Sequence, residues 1–376
     1  MPGLYIHIPF CAAKCAYCDF LSFAEREDCA AAYIEALAAE IGSYKKHYAG
    51  AEVTSVFFGG GTPTLLSAAL LAKPLQVASS VFTIAKDAEI TVEANPETVD
   101  YDKLCMLREA GFNRISFGVQ SFDDTLLRRL GRIHSAETAE RAVINARQAG
   151  FTNINIDLMF GLPGQSLPDW TRTLSRAIAL APEHLSCYSL IVEENTPLAR
   201  ENPLDLPDED TDRAMYAHTR EKMALMGYSQ YEISNFAKPG FESRHNGMYW
   251  TGGEYIGLGL GAHSLLERRR LCNTDNFTQY CNGDTGREVL ETLTDADLYA
   301  EFMILGLRMT AGVSAAVFQK RFNRRIDSVF GAELDALVTE GLLVREGDRI
   351  RLTARGVDIS NRVFVRFLAT EGGNSR

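Results

Sequence analysis

Three of the eight cysteines, Cys11, Cys15 and Cys18, form a CxxxCxxC run directly after the first apolar stretch of the chain. Three thiolates on one short loop can hold three corners of an iron–sulfur cubane. A structural zinc ion takes four ligands, and no fourth cysteine or suitable histidine lies close in sequence. The missing ligand is informative, because it leaves one iron of a [4Fe–4S] cluster free to chelate the amino and carboxylate groups of a methionine moiety. Cys29, Cys105, Cys187, Cys272 and Cys281 share no ligand spacing and read as ordinary core or surface residues.

Such a loop needs a frame. Short apolar runs at residues 4–8, 53–58, 89–93, 114–118, 155–159 and 184–190 alternate with helical patterns at 28–47, 67–79, 101–110, 136–149, 168–180 and 209–226. Ser67 and Ser135 are placed to start helices; Gly111, Gly150 and Gly227 are placed to end them. Six βα units in succession imply an α/β fold with a parallel sheet and right-handed crossovers. Six are too few for a closed eight-stranded barrel, so the expectation is an open, partial (β/α)6 barrel over residues 1–235, with a doubly wound sheet as the alternative. Residues 228–236 read as one or two antiparallel strands. Residues 239–261 read as a glycine-rich loop, within a connecting region spanning 236–290. Residues 291–376 read as a mostly helical, winged-helix-like module ending in a hairpin turned at Gly347–Asp348, with a loose tail at 371–376.

In folds of this kind, ligand groups gather at the carboxyl ends of the strands. The second run leads into Gly59-Gly60-Gly61-Thr62, whose bare backbone can approach a ligand closely. The third ends in Glu93, the fourth in Gly118-Val-Gln120, the fifth holds Asp157, and Arg132 follows a short helix. Singly, each has a bland reading: Glu93 as a helix-cap neighbour, Gln120 as a loop hydrogen bonder, Asp157 as an ion-pair partner of Arg132. Their common position at one barrel edge makes a binding site the better reading.

The cysteine spacing, with Tyr17 just before the last thiol, resembles the radical S-adenosylmethionine (SAM) superfamily. There a [4Fe–4S] cluster passes one electron to the sulfonium of SAM, giving a 5′-deoxyadenosyl radical. GGGTPT, EANP, GVQSF and DLMFGLPGQ further resemble the anaerobic coproporphyrinogen III oxidase family, from Tyr5 to about Thr353. That resemblance implies SAM contacts at Tyr5, Gly60, Gly61, Thr62, Glu93, Gln120, Arg132, Asp157 and Ile191, some of which belong to a second bound molecule in the oxidase. Two features depart from the oxidase pattern: Phe20 stands where its CxxxCxxCxC motif has a further cysteine, and only ten residues precede Cys11, so the lid formed by its N-terminal extension is expected to be absent. Both features are similar to the haem chaperone (HemW) branch, as is the HNxxYW motif, His245-Asn246-Gly-Met-Tyr249-Trp250. An imidazole can ligate haem iron, and Tyr and Trp offer flat faces to a porphyrin; by its residues alone the motif reads first as a polar loop with a buried aromatic pair, and the resemblance makes it a haem-handling candidate. His7 and His263 are the other histidines near the expected loops.

The resemblance therefore implies a haem chaperone without oxidase activity that delivers haem to membrane haemoproteins of the respiratory chain, its cluster ordering the protein for homodimerisation or for docking a partner. A coproporphyrinogen III dehydrogenase, or another radical SAM enzyme of this branch, stays open. The formal charge of −11, from 38 basic and 49 acidic residues, argues against a nucleic-acid partner and offers no basic membrane anchor. No apolar stretch is long enough to span a bilayer, and the N-terminus lacks the layout of a signal peptide, so a cytoplasmic location is expected.

Overall fold

The computed structural model describes residues 2–368, so the tail expected at 371–376 lies outside it. Six strands form where the apolar runs predict them: β1 (Gly3–Ile8), β2 (Glu52–Gly60), β3 (Thr83–Ala94), β4 (Arg114–Gln120), β5 (Ile154–Phe160) and β6 (His184–Ser189). The intervening helices are α1 (Ala30–Ser43), α2 (Ala68–Val81), α3 (Tyr101–Glu109), α4 (Ala136–Gln148) and α5 (Leu167–Ala179), with α6 (Glu209–Leu225) after the last strand. The Ser67 and Ser135 hydroxyls accept the Leu70 and Thr138 N–H groups as N-caps. Gly111, Gly150 and Gly227 close helices with φ of 107°, 91° and 82°.

All neighbouring pairs from β1 to β6 are parallel, as in the expected partial barrel. The sheet nevertheless extends further than the apolar runs indicate. On one side β8 (Asn235–Ala237) and β7 (Ser229–Gln230) add antiparallel to β6, as expected for residues 228–236. On the other, β9 (Tyr255–Leu258) pairs parallel with β1 as a seventh parallel strand, followed antiparallel by β10 (His263–Leu266), β11 (Arg269–Cys272) and β12 (Glu288–Thr292). The order is β12-β11-β10-β9-β1-β2-β3-β4-β5-β6-β8-β7, an open sheet among the described residues. The stretch expected as a glycine-rich loop thus holds α7 (Arg244–Trp250) and β9. Its glycines hide the strand from a hydrophobic reading, yet close packing requires one of them. A Cβ at Gly257 would lie 1.9 Å from the His263 carbonyl oxygen.

One layer of core lies between the sheet and its helices. Leu4, Ile6 and Ile8 of β1 and Val56 and Phe58 of β2 pack with Leu37 and Ile41 of α1. Residues in alternate positions face the concave side, where Tyr5, Phe57 and Thr91 sit in register across β1, β2 and β3. Arg268, Arg269 and Arg270 form a tight turn and the strand after it, and each pairs with a carboxylate. A second core, including Met303, Phe318, Leu334 and Ile350, belongs to the winged-helix-like module: α8 (Asp295–Gly306), α9 (Ala315–Phe322), α10 (Asp327–Thr339) and the small sheet of β13 (Val313–Ser314), β14 (Leu343–Glu346) and β15 (Arg349–Leu352). The β14–β15 hairpin turns at Gly347–Asp348 as expected.

The antiparallel extension is tied to the barrel by one buried carboxylate. Glu40 of α1 accepts from the Gly259 N–H at 2.9 Å, Asn273 Nδ2 at 2.8 Å and the Tyr280 hydroxyl at 2.7 Å. Removing it leaves three buried donors unpaired, each costing about 1–3 kcal/mol. Glu40→Ala is expected to lose at least ~3 kcal/mol in urea denaturation, with Glu40→Gln intermediate.

Candidate functional site

The cysteine loop is held in place by backbone contacts. The Gly61 N–H donates to the Ile8 carbonyl at 2.9 Å and the Thr62 N–H to that of Phe10 at 2.7 Å, so the end of β2 lies directly beside the segment carrying Cys11. A Cβ at Gly61 would stand 2.6 Å from the Phe10 oxygen, and one at Gly60 (φ 110°) 2.3 Å from the His7 ring. Beyond Cys11, the Ala16 N–H donates to Leu130 and the Ala16 carbonyl accepts from Leu198. Tyr17 packs into the cluster of Leu126, Leu130 and Leu162. His7 secures the far end: its Nε2 bonds the Leu21 carbonyl at 2.8 Å and its Nδ1 the Tyr5 hydroxyl at 3.0 Å. Burial keeps that imidazole neutral, lowering its pKa to about 4.

A cavity of about 380 Å³ opens at this end of the barrel, lined by Cys11, Cys15 and Cys18. Of the nine positions implied to contact SAM, eight line it as well: Gly60, Gly61, Thr62, Glu93, Gln120, Arg132, Asp157 and Ile191. Tyr5 instead lies deeper on the concave face, stacked against Phe57 at 6.3 Å. All eight cysteines are free thiols. Among the described residues no three His, Cys, Asp or Glu side chains stand around a single-ion site. Cys11, Cys15 and Cys18 all line this one cavity, as residues would that each supply a thiolate to a different iron of a cluster.

The surrounding charges fit an anionic cluster beside a cationic, amino-acid-bearing ligand. Arg132 Nη1 donates to Cys15 Sγ at 3.3 Å and Nη2 to the Gly118 carbonyl. The Thr62 hydroxyl points at Cys11 Sγ from 3.7 Å. Opposite stand two carboxylates. Asp157 accepts from Ser116 Oγ and Asn155 Nδ2, both at 2.8 Å, and Glu93 accepts from the Gly60 N–H at 3.2 Å. Sequence reasoning passed over Ser116 and Asn155, although Asn155 sits two residues before Asp157, the spacing that puts both on one strand face; Ser116 joins them through its pairing with Asn155 in the next strand. Gln120 adopts φ 68° at a bulge in β4, which turns its side chain toward Arg132.

The HNxxYW segment is elsewhere, at the opposite end of the barrel. It forms α7, whose first N–H groups are taken by Glu89: Arg244 N and His245 N each donate to its carboxylate at 3.1 Å. His245 is 1% exposed and stacks on Phe57 at 5.2 Å. Its Nδ1 bonds Ser55 Oγ at 3.0 Å and its Nε2 the Tyr249 hydroxyl at 2.9 Å, so both ring nitrogens are engaged. Asn246 caps onto Ser243 through its N–H, and Arg308 of the C-terminal module covers the Trp250 ring at 4.4 Å. The segment is thus a short helix and not a loop: His245 is buried, Asn246, Tyr249 and Trp250 are partly buried, and the side chain expected to face a haem is turned into the barrel. They floor the barrel and receive the module.

A radical SAM superfamily model matches residues 5–177, and a HemN C-terminal domain model matches residues 293–359. The chain is 40% identical to the heme chaperone HemW of Bacillus subtilis, over 98% of this chain and 99% of that one. The chain belongs to the HemW family. HemW of Escherichia coli is 38% identical over 98% of both chains. Among solved structures, coproporphyrinogen III oxidase (HemN) from E. coli, a radical SAM enzyme, superposes with a TM-score of 0.85 at 27% identity, covering 97% of this chain and 90% of that one. The HemW family thus shares the oxidase's frame, including the partial barrel and the C-terminal module.

Two stability predictions follow from the charges. Burial and the nearby Asp157 carboxylate push Glu93 up to about 8, from an ordinary 4.5. The native state therefore keeps a proton that the unfolded chain loses, and stability falls as pH rises from 4.5 to 8. Without added ligand, Glu93→Gln is expected to melt higher than the parent above pH 8, by ~2 kcal/mol because the cavity admits water on one side, and to show no gain at pH 4.5. His245 has the opposite sign: burial, with Arg114 nearby, lowers it to about 3, so its contribution is complete above pH 6.5 and lost as pH falls toward 3. His245→Ala is expected to cost about 2–4 kcal/mol at pH 7.5 and to flatten the acid limb of the melting curve.

Proposed function

We propose that this protein is a cytoplasmic haem chaperone that carries a [4Fe–4S] cluster on Cys11, Cys15 and Cys18, binds SAM beside it, and passes haem to membrane haemoproteins. The observation that carries the reading is the end-to-end likeness to heme chaperone HemW, at 40% identity over nearly all of both chains. Phe20 agrees with it: 65% exposed beside the cysteines, it offers an apolar face where the oxidase pattern has a thiol. Among the described residues no helix is long and apolar enough to cross a membrane, so delivery would rest on contact with a recipient protein.

When bound, the cluster supplies an open iron for the methionine end of SAM and a source of one electron. The chain's own groups do the rest. Arg132 and Thr62 offset thiolate charge at Cys15 and Cys11, and Glu93, Asp157 and the bare backbone of Gly60 and Gly61 offer acceptors and close approach to an amino-acid and nucleoside ligand. Haem is cargo in this scheme.

Anaerobic reconstitution followed by parallel assays tests the proposal. Expected are four irons per chain, stoichiometric haem uptake, and no conversion of coproporphyrinogen III to protoporphyrinogen IX. Conversion at an enzymic rate would replace the chaperone with the dehydrogenase. Cys11→Ser is expected to lose the broad brown absorption, and full four-iron content in that variant would refute the ligand assignment.

A further inference from the structure

A haem carrier needs a group for the iron, and HNxxYW does not present one: His245 is buried with both nitrogens bonded. The other six histidines can be sorted by the same criterion. His7 bonds through both nitrogens, as does His184, to Asn155 and Tyr231. His134 is 4% exposed and bonds the Val119 carbonyl. His218 lies partly buried on α6, and His47, exposed like His263, lies in a short helix (Lys45–Tyr48) just before the start of β2, away from the cysteine end. His263, the first residue of β10, is different. It is exposed, and the partner given to its Nε2 is a thiol, Cys272 Sγ, at 3.5 Å.

The register makes this more than a chance contact. His263 pairs directly with Cys272 across β10 and β11, so both side chains leave the same face of the sheet. Through Leu265, Tyr255 and Gly257, that face is the one carrying Tyr5 and His7, the concave side of the barrel. The pair sits at the cysteine end. Gly261, two residues before His263, lies against Leu21, where an added Cβ would be 2.4 Å from Leu Cδ2, and Leu21 follows the exposed Phe20. An imidazole and a thiol, both haem-ligand types, therefore stand together outside the cavity, at the end of the barrel where Phe20 is exposed.

Resting on the chaperone reading, we propose that His263 is the axial ligand for the haem cargo, with Cys272 beside it and Phe20 offering an apolar face to the porphyrin. Cys272 is then no ordinary surface cysteine. Burial and the neighbouring Glu288 and Asp275 carboxylates raise its thiol, so at neutral pH it is a hydrogen-bonding neighbour while the imidazole takes the iron.

The test is titration of the reconstituted full-length protein with ferric haem under argon, read by the Soret band and by electron paramagnetic resonance. His263→Ala is expected to weaken binding at least 10-fold and to lose the imidazole-ligated signature, with free imidazole restoring the signature. His47→Ala is expected to match the parent. Iron content and melting temperature of each variant verify folding, and His263→Gln serves if the alanine variant is unstable. Parent-like affinity and spectrum in a folded His263 variant overturn the assignment while leaving the chaperone reading intact. A parent protein that takes up no haem overturns the chaperone reading itself.

Discussion

The site depends on how closely two backbones can approach. The end of β2 runs beside the end of β1 with no side chain between them, and the Gly61–Ile8 and Thr62–Phe10 hydrogen bonds extend their pairing up to the residue before Cys11. Everything ligand-facing is arranged relative to that seam. The His7 ring occupies the space that a side chain at Gly60 would fill, and from there it holds Leu21, the exit of the cysteine loop. The loop is therefore clamped at its start by backbone, in its middle by Ala16 and Tyr17, and at its end by an imidazole. A flexible loop would hold its thiols with far less definition.

The concave wall shows a second constraint, that buried charge must be answered locally. Asp157 is held by Ser116 and Asn155, Glu93 by the Gly60 N–H, and Glu89 by the first turn of α7. Burial and the Asp157 charge nevertheless keep Glu93 protonated to about pH 8, and a cationic ligand between the two would favour its ionisation. Stability is given up here in exchange for affinity, as is common where function and folding use the same residues.

Much of this was legible in the chain. Period-two apolar runs, glycine stops and serine caps locate β1 to β6 and the helices between them within a few residues, because those elements are long and amphipathic. The cysteine spacing and the strand-end residues mark the cavity, since a parallel sheet brings its carboxyl ends together whatever the order of strands. The antiparallel strands β7 and β8 were legible at 228–236, but the extension beyond β1 was not. Its strands have four or five residues each, and β9 is flanked and interrupted by glycines, of which Gly257 is required by packing against His263. The polar residues of HNxxYW pointed toward solvent or ligand, but Ser55 and Glu89 lie 190 and 156 residues away from His245, and only the fold reveals that they satisfy it. The pairing of His263 with Cys272 is likewise a matter of register, invisible to spacing.

The helical plug formed by α7 has a consequence for traffic. With His245, Tyr249 and Phe57 filling one end and Arg308 lying over Trp250 behind it, the barrel has a back wall and is not a conduit. On the chaperone proposal, haem held at His263 would then be loaded and released on the same side, the one framed by the cysteine loop and the concave lip. Donor and recipient would have to take turns there, so that each transfer is completed before the next begins.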